Sequence, residues 1–211
     1  LAEVALLCRF VIIFVIYANG TEAAGTDGLI YHQVAKEVAR QLETGTPIWD
    51  VKYEYTWYTV LVGLQYAAFG VNRYAASFFN AFLAILSGYY ITGISDNLQH
   101  SFKKSSFIGL AYLFMPSMMI WTADTRKESM IFFIAILIWY LALRVIRERE
   151  WPKWRRALYI GGICLLLWVS TLLRIYMLFT LGVGLLIFLF LHYLKTKRKL
   201  SLIFGAIVLV T

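Results

Sequence analysis

Apolar runs of close to 20 residues recur along the whole 211-residue chain and constrain its fold more than any other feature. A helix of ~20 residues is long enough to cross the hydrocarbon core of a bilayer, because each residue advances it by ~1.5 Å. Charged residues make up only 15% of the chain, against about a quarter in soluble domains. The sequence therefore predicts an all-α, polytopic integral membrane protein with a single transmembrane domain, residues 1–211.

The apolar pattern predicts about six complete membrane spans and a truncated seventh. We place the six at residues 4–18, 74–93, 106–122, 129–143, 157–173 and 175–194. The last apolar run, residues 200–211, is too short to cross by itself, so we expect the chain to be part of a larger protein. Arg9 lies inside the first span, where it either reaches toward the near interface or meets a partner within the bundle.

The polar interval between the first two spans, residues 19–73, is predicted to hold two juxtamembrane helices. From Asp27 to Glu43 apolar residues recur every four positions, which indicates an amphipathic surface helix capped by either Thr26 or Asp27. The apolar run at residues 59–69 contains Gln65 and has about half the length of a span, so we predict that it does not cross the membrane. If it did cross, the first loop would lie on the other side.

Basic residues between the spans orient the chain. Three clusters share one side if the spans alternate as placed: Lys103 with Lys104, six basic residues from Arg144 to Arg156, and the basic residues at 195–199. The positive-inside rule makes that side the cytoplasm, in a cell (inner) membrane. Orientation thus explains the net charge of +8, and no nucleic-acid partner is expected.

This topology brings three groups of charged residues to the extracytoplasmic side. They are Asp27 with Tyr31; Asp124 with Arg126, Lys127 and Glu128; and Arg174 with Tyr176. A carboxylate can deprotonate a hydroxyl nucleophile, and cations can hold the phosphate of a leaving group. The structural alternatives stay open, because Asp27 could be a helix cap, Asp124 a loop acid and Arg174 an interfacial anchor.

Several stretches resemble the GT-C class of polytopic membrane glycosyltransferases. The likeness begins with Asp27-x-x-x-Tyr31-x-x-x-Ala35 on a surface helix, continues through residues 55–70 and 122–128, and extends to about Arg174. The best-known similar families are the protein O-mannosyltransferases and the lipid A aminoarabinose transferases. Members have roughly twice as many spans, so the resemblance implies that this chain is the N-terminal part of a GT-C-like module.

The resemblance also implies a reaction and its participants. A polyprenyl-phosphate-linked sugar would be the donor, and a hydroxyl of a glycan, lipid or protein would be the acceptor. The resemblance assigns Asp27 as the general base and Asp124 as a second catalytic acid, with the phosphate held by Arg126, Lys127 and Arg174. Further candidates for substrate binding are Tyr31, Lys52 and Glu54, the last two where many members have a Lys-Pro-Pro stretch.

No cofactor is required by this reaction, although a divalent metal could assist. The three histidines are scattered and form no metal-binding pattern. Besides the substrates and the bilayer, other membrane subunits are candidate partners.

Two other functions fit the same residues. A polysaccharide polymerase or another lipid-phosphate transferase would use the same basic cavity. A non-enzymatic scaffold or transporter subunit would use Asp27 only as a cap and the arginines only as anchors. The catalytic interpretation requires Asp27, Asp124 and Arg174 to converge in one cavity.

Overall fold

The computed structural model describes residues 1–19, 27–99, 101–148 and 150–196. Within these ranges 83% of the residues are helical and none forms a strand, which confirms the all-α prediction. The described helices are α1 (Ala2–Ala18), α2 (Asp27–Glu43), α3 (Trp57–Phe69), α4 (Arg73–Gln99), α5 (Phe102–Phe114), α6 (Pro116–Thr122), α7 (Glu128–Arg147), α8 (Lys153–Leu173) and α9 (Tyr176–Thr196).

Four of the described helices, α4, α7, α8 and α9, are long and apolar enough to cross a membrane. The bent pair of α5 and α6 raises the number to five if the pair is one span. α1 has 17 residues, at the short limit of what a bilayer needs, and is not among them. The predicted number of six spans is therefore not confirmed, and the truncated seventh, residues 200–211, lies outside the described residues.

A bend of 57° separates α5 from α6, where the sequence predicts one continuous span. The bend comes at Met115, because Pro116 lacks the N–H that would continue the helix. Arg9 of α1 stabilises the break: its Nη2 donates to the carbonyl of Leu113 at 2.9 Å and its Nε to the Thr122 hydroxyl at 3.0 Å. Arg9 is fully buried, so of its two predicted roles the structure supports the one within the bundle.

α2 and α3 form an antiparallel pair. Gly63 of α3 lies against Val38 and the Ala35 carbonyl of α2, and further along the pair the His32 Nδ1 and the Tyr66 hydroxyl are 2.8 Å apart. α3 has 13 residues and is therefore only ~20 Å long, too short for a span. Thr26, the other candidate cap of α2, lies outside the described residues.

The α2–α3 pair leaves the bundle and returns to it at the same end. Near the end of α1 the Tyr17 hydroxyl lies 2.5 Å from the Ser77 hydroxyl, which is near the start of α4. The end of α1 and the start of α4 therefore lie together, and the prediction that α3 does not cross the membrane stays a prediction. We call this end, marked by Tyr17, Asp27, Arg73, Asp124 and Arg174, the Asp124 end.

The opposite end carries exposed basic residues and is called here the basic end (Lys103, Arg147 and Arg155). Arg147, at the end of α7, donates to the Asn97 carbonyl near the end of α4. Lys103 is the second residue of α5, and Arg155 lies in the first turn of α8. The helices thus run between two chemically different ends.

Candidate functional site

Asp124 is the centre of a buried charge network at the Asp124 end. It lies in the loop between α6 and α7, and it is fully buried. Its Oδ1 accepts hydrogen bonds from Arg73 Nη2 at 3.2 Å, from the Thr125 N–H at 2.7 Å and from the Tyr17 hydroxyl at 3.3 Å. Its Oδ2 accepts from Arg126 Nε at 3.2 Å. Both carboxylate oxygens are therefore engaged by a guanidinium group.

Asn80 of α4 holds the loop that carries this network. Its fully buried Nδ2 lies 2.7 Å from the Asp124 carbonyl and 2.8 Å from the Arg126 carbonyl. The same nitrogen lies 2.9 Å from the Tyr58 hydroxyl of α3. Asn80 thus joins α4 to α3 and to the loop between α6 and α7. These hydrogen bonds restrict how the loop can move.

Tyr17, Arg73 and Asn80 belong to the network, although the sequence did not single them out as site residues. Tyr17 and Asn80 are polar side chains within apolar runs, and Arg73 stands at the start of one. Polar groups at such positions are expensive unless they are partnered. The cost of an unpartnered polar group could have marked these residues in the sequence. It does not identify the distant residues that serve as their partners.

Asp27 has a different environment from Asp124. Its side chain is 60% exposed at the start of α2, and its Oδ2 lies 3.9 Å from Arg126 Nη1. Arg126 is held more closely by Asp124, at 3.2 Å. Asp27 is therefore an accessible carboxylate beside a fixed cation, and a solvent-borne or lipid-borne group can reach it.

Lys127 is a largely buried lysine without an ion-pair partner in the described part of the chain. The residue is only 8% exposed, and its Nζ lies 5.4 Å from the centre of the Tyr31 ring. Within the described residues no hydrogen bond or ion pair engages this nitrogen. Burial lowers the pKa of Lys127, as does the charge of Arg174, whereas Glu128 and Asp27 raise it. A cation on a largely buried residue is stabilised by a nearby anion, so this position is suited to an anionic ligand.

Arg174 and Glu128 complete the charged cluster. Arg174 Nη2 lies 2.8 Å from Glu128 Oε1, and Nη1 bonds to the Tyr176 hydroxyl. The other oxygen, Glu128 Oε2, is buried and has no hydrogen-bond partner among the described residues. Arg174 keeps about a third of its side chain exposed, so it too can be reached from outside.

Tyr31 lies at the point where these charges meet. It is buried, and it packs edge-on against Tyr58 and Tyr55 with ring centres 5.8 Å and 6.2 Å apart. Burial raises the pKa of Tyr31 to about 12, so its hydroxyl stays protonated at neutral pH. The charges that act on this hydroxyl are those of Asp27, Arg126, Glu128 and Arg174. The charges of Asp27, Arg126 and Arg174 thus act on one tyrosine, whose ring centre lies 5.4 Å from Lys127 Nζ.

Lys52 and Glu54 lie along a separate groove of about 510 Å³ on the surface of α2. Gln41 fixes this segment, because its Nε2 donates to the Lys52 carbonyl at 3.0 Å and its Oε1 accepts from the Lys52 N–H at 2.9 Å. In the part of the chain that the structure describes, no hydrogen bond or ion pair joins Lys52 or Glu54 to Asp27. Their predicted substrate role therefore stays a prediction, and it would concern a different part of the substrate.

No group of three or more histidine, cysteine, aspartate or glutamate residues is arranged to hold a metal ion within the described ranges. His32 instead faces the Tyr66 hydroxyl, and His100 lies outside those ranges.

Comparison of the chain with protein-family models, with curated proteins and with solved structures found no match. The resemblance to GT-C glycosyltransferases therefore stays a prediction from the residues of this chain.

Proposed function

We propose that the protein transfers a sugar from a polyprenyl-phosphate donor to an acceptor hydroxyl at the Asp124 end. The observation that carries the proposal is the pairing of two complementary groups there. Asp27 is an accessible carboxylate, and Lys127 is a largely buried residue whose ammonium makes no hydrogen bond or ion pair among the described residues. Transfer from a phosphate-linked donor needs both a proton acceptor and a cation for the phosphate.

The proposed reaction is a displacement with inversion. The acceptor hydroxyl attacks the anomeric carbon of the sugar as Asp27 takes its proton. The bond between that carbon and the phosphate oxygen breaks, and its electron pair stays on the polyprenyl phosphate. Lys127 and Arg174 neutralise the charge that develops on this leaving group, which lowers the barrier most where water is excluded.

Asp124 and Arg126 have supporting roles in this proposal. The Asp124 carboxylate is fully buried and bonded to two guanidinium groups, which favours a positioning role over direct proton transfer. Arg126 stands between the two acids and keeps a positive charge 3.9 Å from Asp27.

The alternatives use the same observations differently. A polymerase or another lipid-phosphate transferase would need the same base and the same cation, and only its product differs. A scaffold or transporter subunit is favoured by one specific observation, the closed network of Asp124 with Arg73 and Arg126, which needs no ligand. The Lys127 ammonium, which makes no ion pair within the described residues, weighs against that alternative, because a closed structural network would be expected to pair it.

The proposed location is the extracytoplasmic face of the cell membrane. The described basic end exposes Lys103, Lys153 and Arg155, and the positive-inside rule assigns such an end to the cytoplasm. The Asp124 end would then face the compartment in which the polyprenyl-linked sugar is presented.

The test is sugar transfer by the protein in membrane vesicles, with mannose and aminoarabinose on undecaprenyl phosphate supplied in turn. We measure release of undecaprenyl phosphate and incorporation of labelled sugar into a cell-envelope acceptor fraction. Asp27→Asn should reduce turnover by about 10²–10⁴-fold, because the amide cannot accept the proton. Asp50→Asn, at an exposed acid in the same interval, should transfer at the wild-type rate.

Three outcomes decide between the functions. Undiminished turnover by Asp27→Asn would rule out the general-base role. A long polymeric product would identify the polymerase. Failure of the wild-type protein to release undecaprenyl phosphate from either donor would contradict the proposal and favour the scaffold.

A further inference from the structure

The first turn of α2 touches the buried carboxylate of Asp124. A Cβ placed on Gly28 would lie 2.5 Å from both Oδ1 and Oδ2 of Asp124 and 2.7 Å from its Cγ. Ordinary van der Waals contact begins near 3.4 Å, so no larger residue fits without movement of about 1 Å. Gly28 is buried, and only the missing side chain allows the helix to approach this closely.

Asp124 is not free to move away from such a side chain. Its two oxygens are bonded to Arg73, Arg126 and Tyr17 and to the following backbone N–H, with every partner within 3.3 Å. Turning the carboxylate would break these bonds in a fully buried site, where an unpaired charge is very unfavourable. Any extra volume at Gly28 must therefore displace α2.

The contact between the first turn of α2 and the Asp124 carboxylate is also electrostatically favourable. α2 is a 17-residue helix that begins at Asp27, and its first turn presents the positive end of the helix dipole. An ionised carboxylate against this turn stabilises the arrangement, by an effect that falls off within one turn. Close packing and charge thus hold the same short segment in place.

We propose that the close contact between Gly28 and Asp124 fixes the first turn of α2 and thereby sets the position of Asp27 relative to Arg126 and Lys127. This inference rests on the proposed function, in which Asp27 is the base. Gly28 is then a positioning residue. It touches no substrate itself, whereas Asp27, directly before it, is the group that does. A shift of about 1 Å at a reacting group can lower the rate by about 10²-fold.

The activity test compares Gly28→Ala with alanine at two helical glycines that have open space. Gly161 and Gly182 have nothing within 4 Å of an added Cβ, so alanine there should be neutral. We expect Gly28→Ala to lower kcat by about 10²-fold at nearly unchanged KM for the lipid donor, because the phosphate-binding cations are not on α2. A wild-type kcat for Gly28→Ala, in a protein with the thermal stability of the controls, would overturn the proposal.

A second test does not depend on sugar transfer. In a background with Cys8→Ser and Cys164→Ser, Asp27→Cys places a single thiol at the base position. Its ionisation is followed through the pH dependence of its reaction with iodoacetamide. The cations beside position 27 should hold the thiol pKa below the ordinary value of about 8.5.

Adding Gly28→Ala should return this pKa toward about 8.5, since the thiol moves away from Arg126. Adding Gly161→Ala should leave it unchanged. An identical thiol pKa with and without Gly28→Ala would overturn the proposed positioning role of Gly28, whether or not the protein transfers sugar. If the thiol pKa shifts as expected while the wild-type protein transfers no sugar, the positioning role of Gly28 is supported and the proposed function is wrong.

Discussion

Lysine and arginine residues have opposite environments at the two ends of the bundle. At the basic end, Lys103 and Arg155 are exposed, and Arg144 pairs with Glu148 at a partly exposed site. At the Asp124 end, Arg126 and Lys127 are almost fully buried, and Arg73 contacts the buried Asp124. Exposed cations fit membrane orientation, whereas buried cations must be compensated by a structural acid or by a ligand.

The Asp124 end contains both kinds of compensation. Arg73 and Arg126 are compensated by the protein itself, through Asp124. Lys127 has no such anion within the described residues, although it follows Arg126 directly in the sequence. The comparison therefore separates cations that stabilise the fold from a cation that is available to a ligand. Two experiments test that separation, and a third tests on which sides of the membrane the two ends lie.

The largest effect is expected for Asp124→Ala. The change leaves two guanidinium groups near a buried site without their carboxylate, so the free energy of unfolding should fall by about 3–5 kcal/mol. Thermal or denaturant unfolding of the detergent-solubilised protein measures this. The matched control is Glu148→Ala, which removes the partly exposed partner of Arg144 and should cost less than about 1 kcal/mol. Equal effects of the two variants would contradict the contrast between the ends.

A smaller effect, of opposite sign, is expected for Lys127→Met. Methionine has a similar length and no charge to desolvate, so the free energy of unfolding should rise by about 1–3 kcal/mol. In the wild-type protein, inorganic phosphate should raise the melting temperature by binding to the folded state, and Lys127→Met should abolish that rise.

Lys103→Met at the basic end serves as the control. It should change stability by no more than about 0.5 kcal/mol and should keep the response to phosphate. If Lys127→Met lowered stability and phosphate still protected it, Lys127 would be a structural cation like Arg126.

The smallest effect on the fold is expected for substitutions that report the two ends to a membrane-impermeant maleimide. Asp50→Cys and Lys103→Cys, each in the Cys8→Ser and Cys164→Ser background, alter exposed positions and should change stability by less than about 0.5 kcal/mol. In intact cells the thiol at position 50 should react, and the thiol at 103 should react only after permeabilisation. Reaction of both from the same side would contradict the proposed topology.

Local signals in the sequence were sufficient for the surface helices. α2 runs from Asp27 to Glu43 as its four-residue apolar repeat predicts, and Gly45 after it has the positive φ of 87° expected of a helix-ending glycine. α3 covers Trp57–Phe69 against a predicted apolar run of 59–69. Such features depend on neighbouring residues, which is why periodicity and capping rules find them.

Other parts of the fold could not be predicted in this way. Pro116 was visible in the sequence, but whether it only kinks a span or divides it depends on Arg9, more than a hundred residues earlier, which supplies donors at the break. The role of Asn80 likewise depends on carbonyls of the loop between α6 and α7. These partners are set by which helices pack together, and that information is not local.

The sequence by itself determined the helical, apolar character of this protein, the position of its amphipathic segment and the acids and cations from which a site could form. Periodicity and composition suffice for those features, because each follows from a short stretch of chain. Only the tertiary structure decided that Asp124 is enclosed by two guanidinium groups while Asp27 stays accessible, and that Lys127 is buried beside Tyr31. Burial and pairing are properties of segments that meet in space, and they distinguish otherwise similar charged residues.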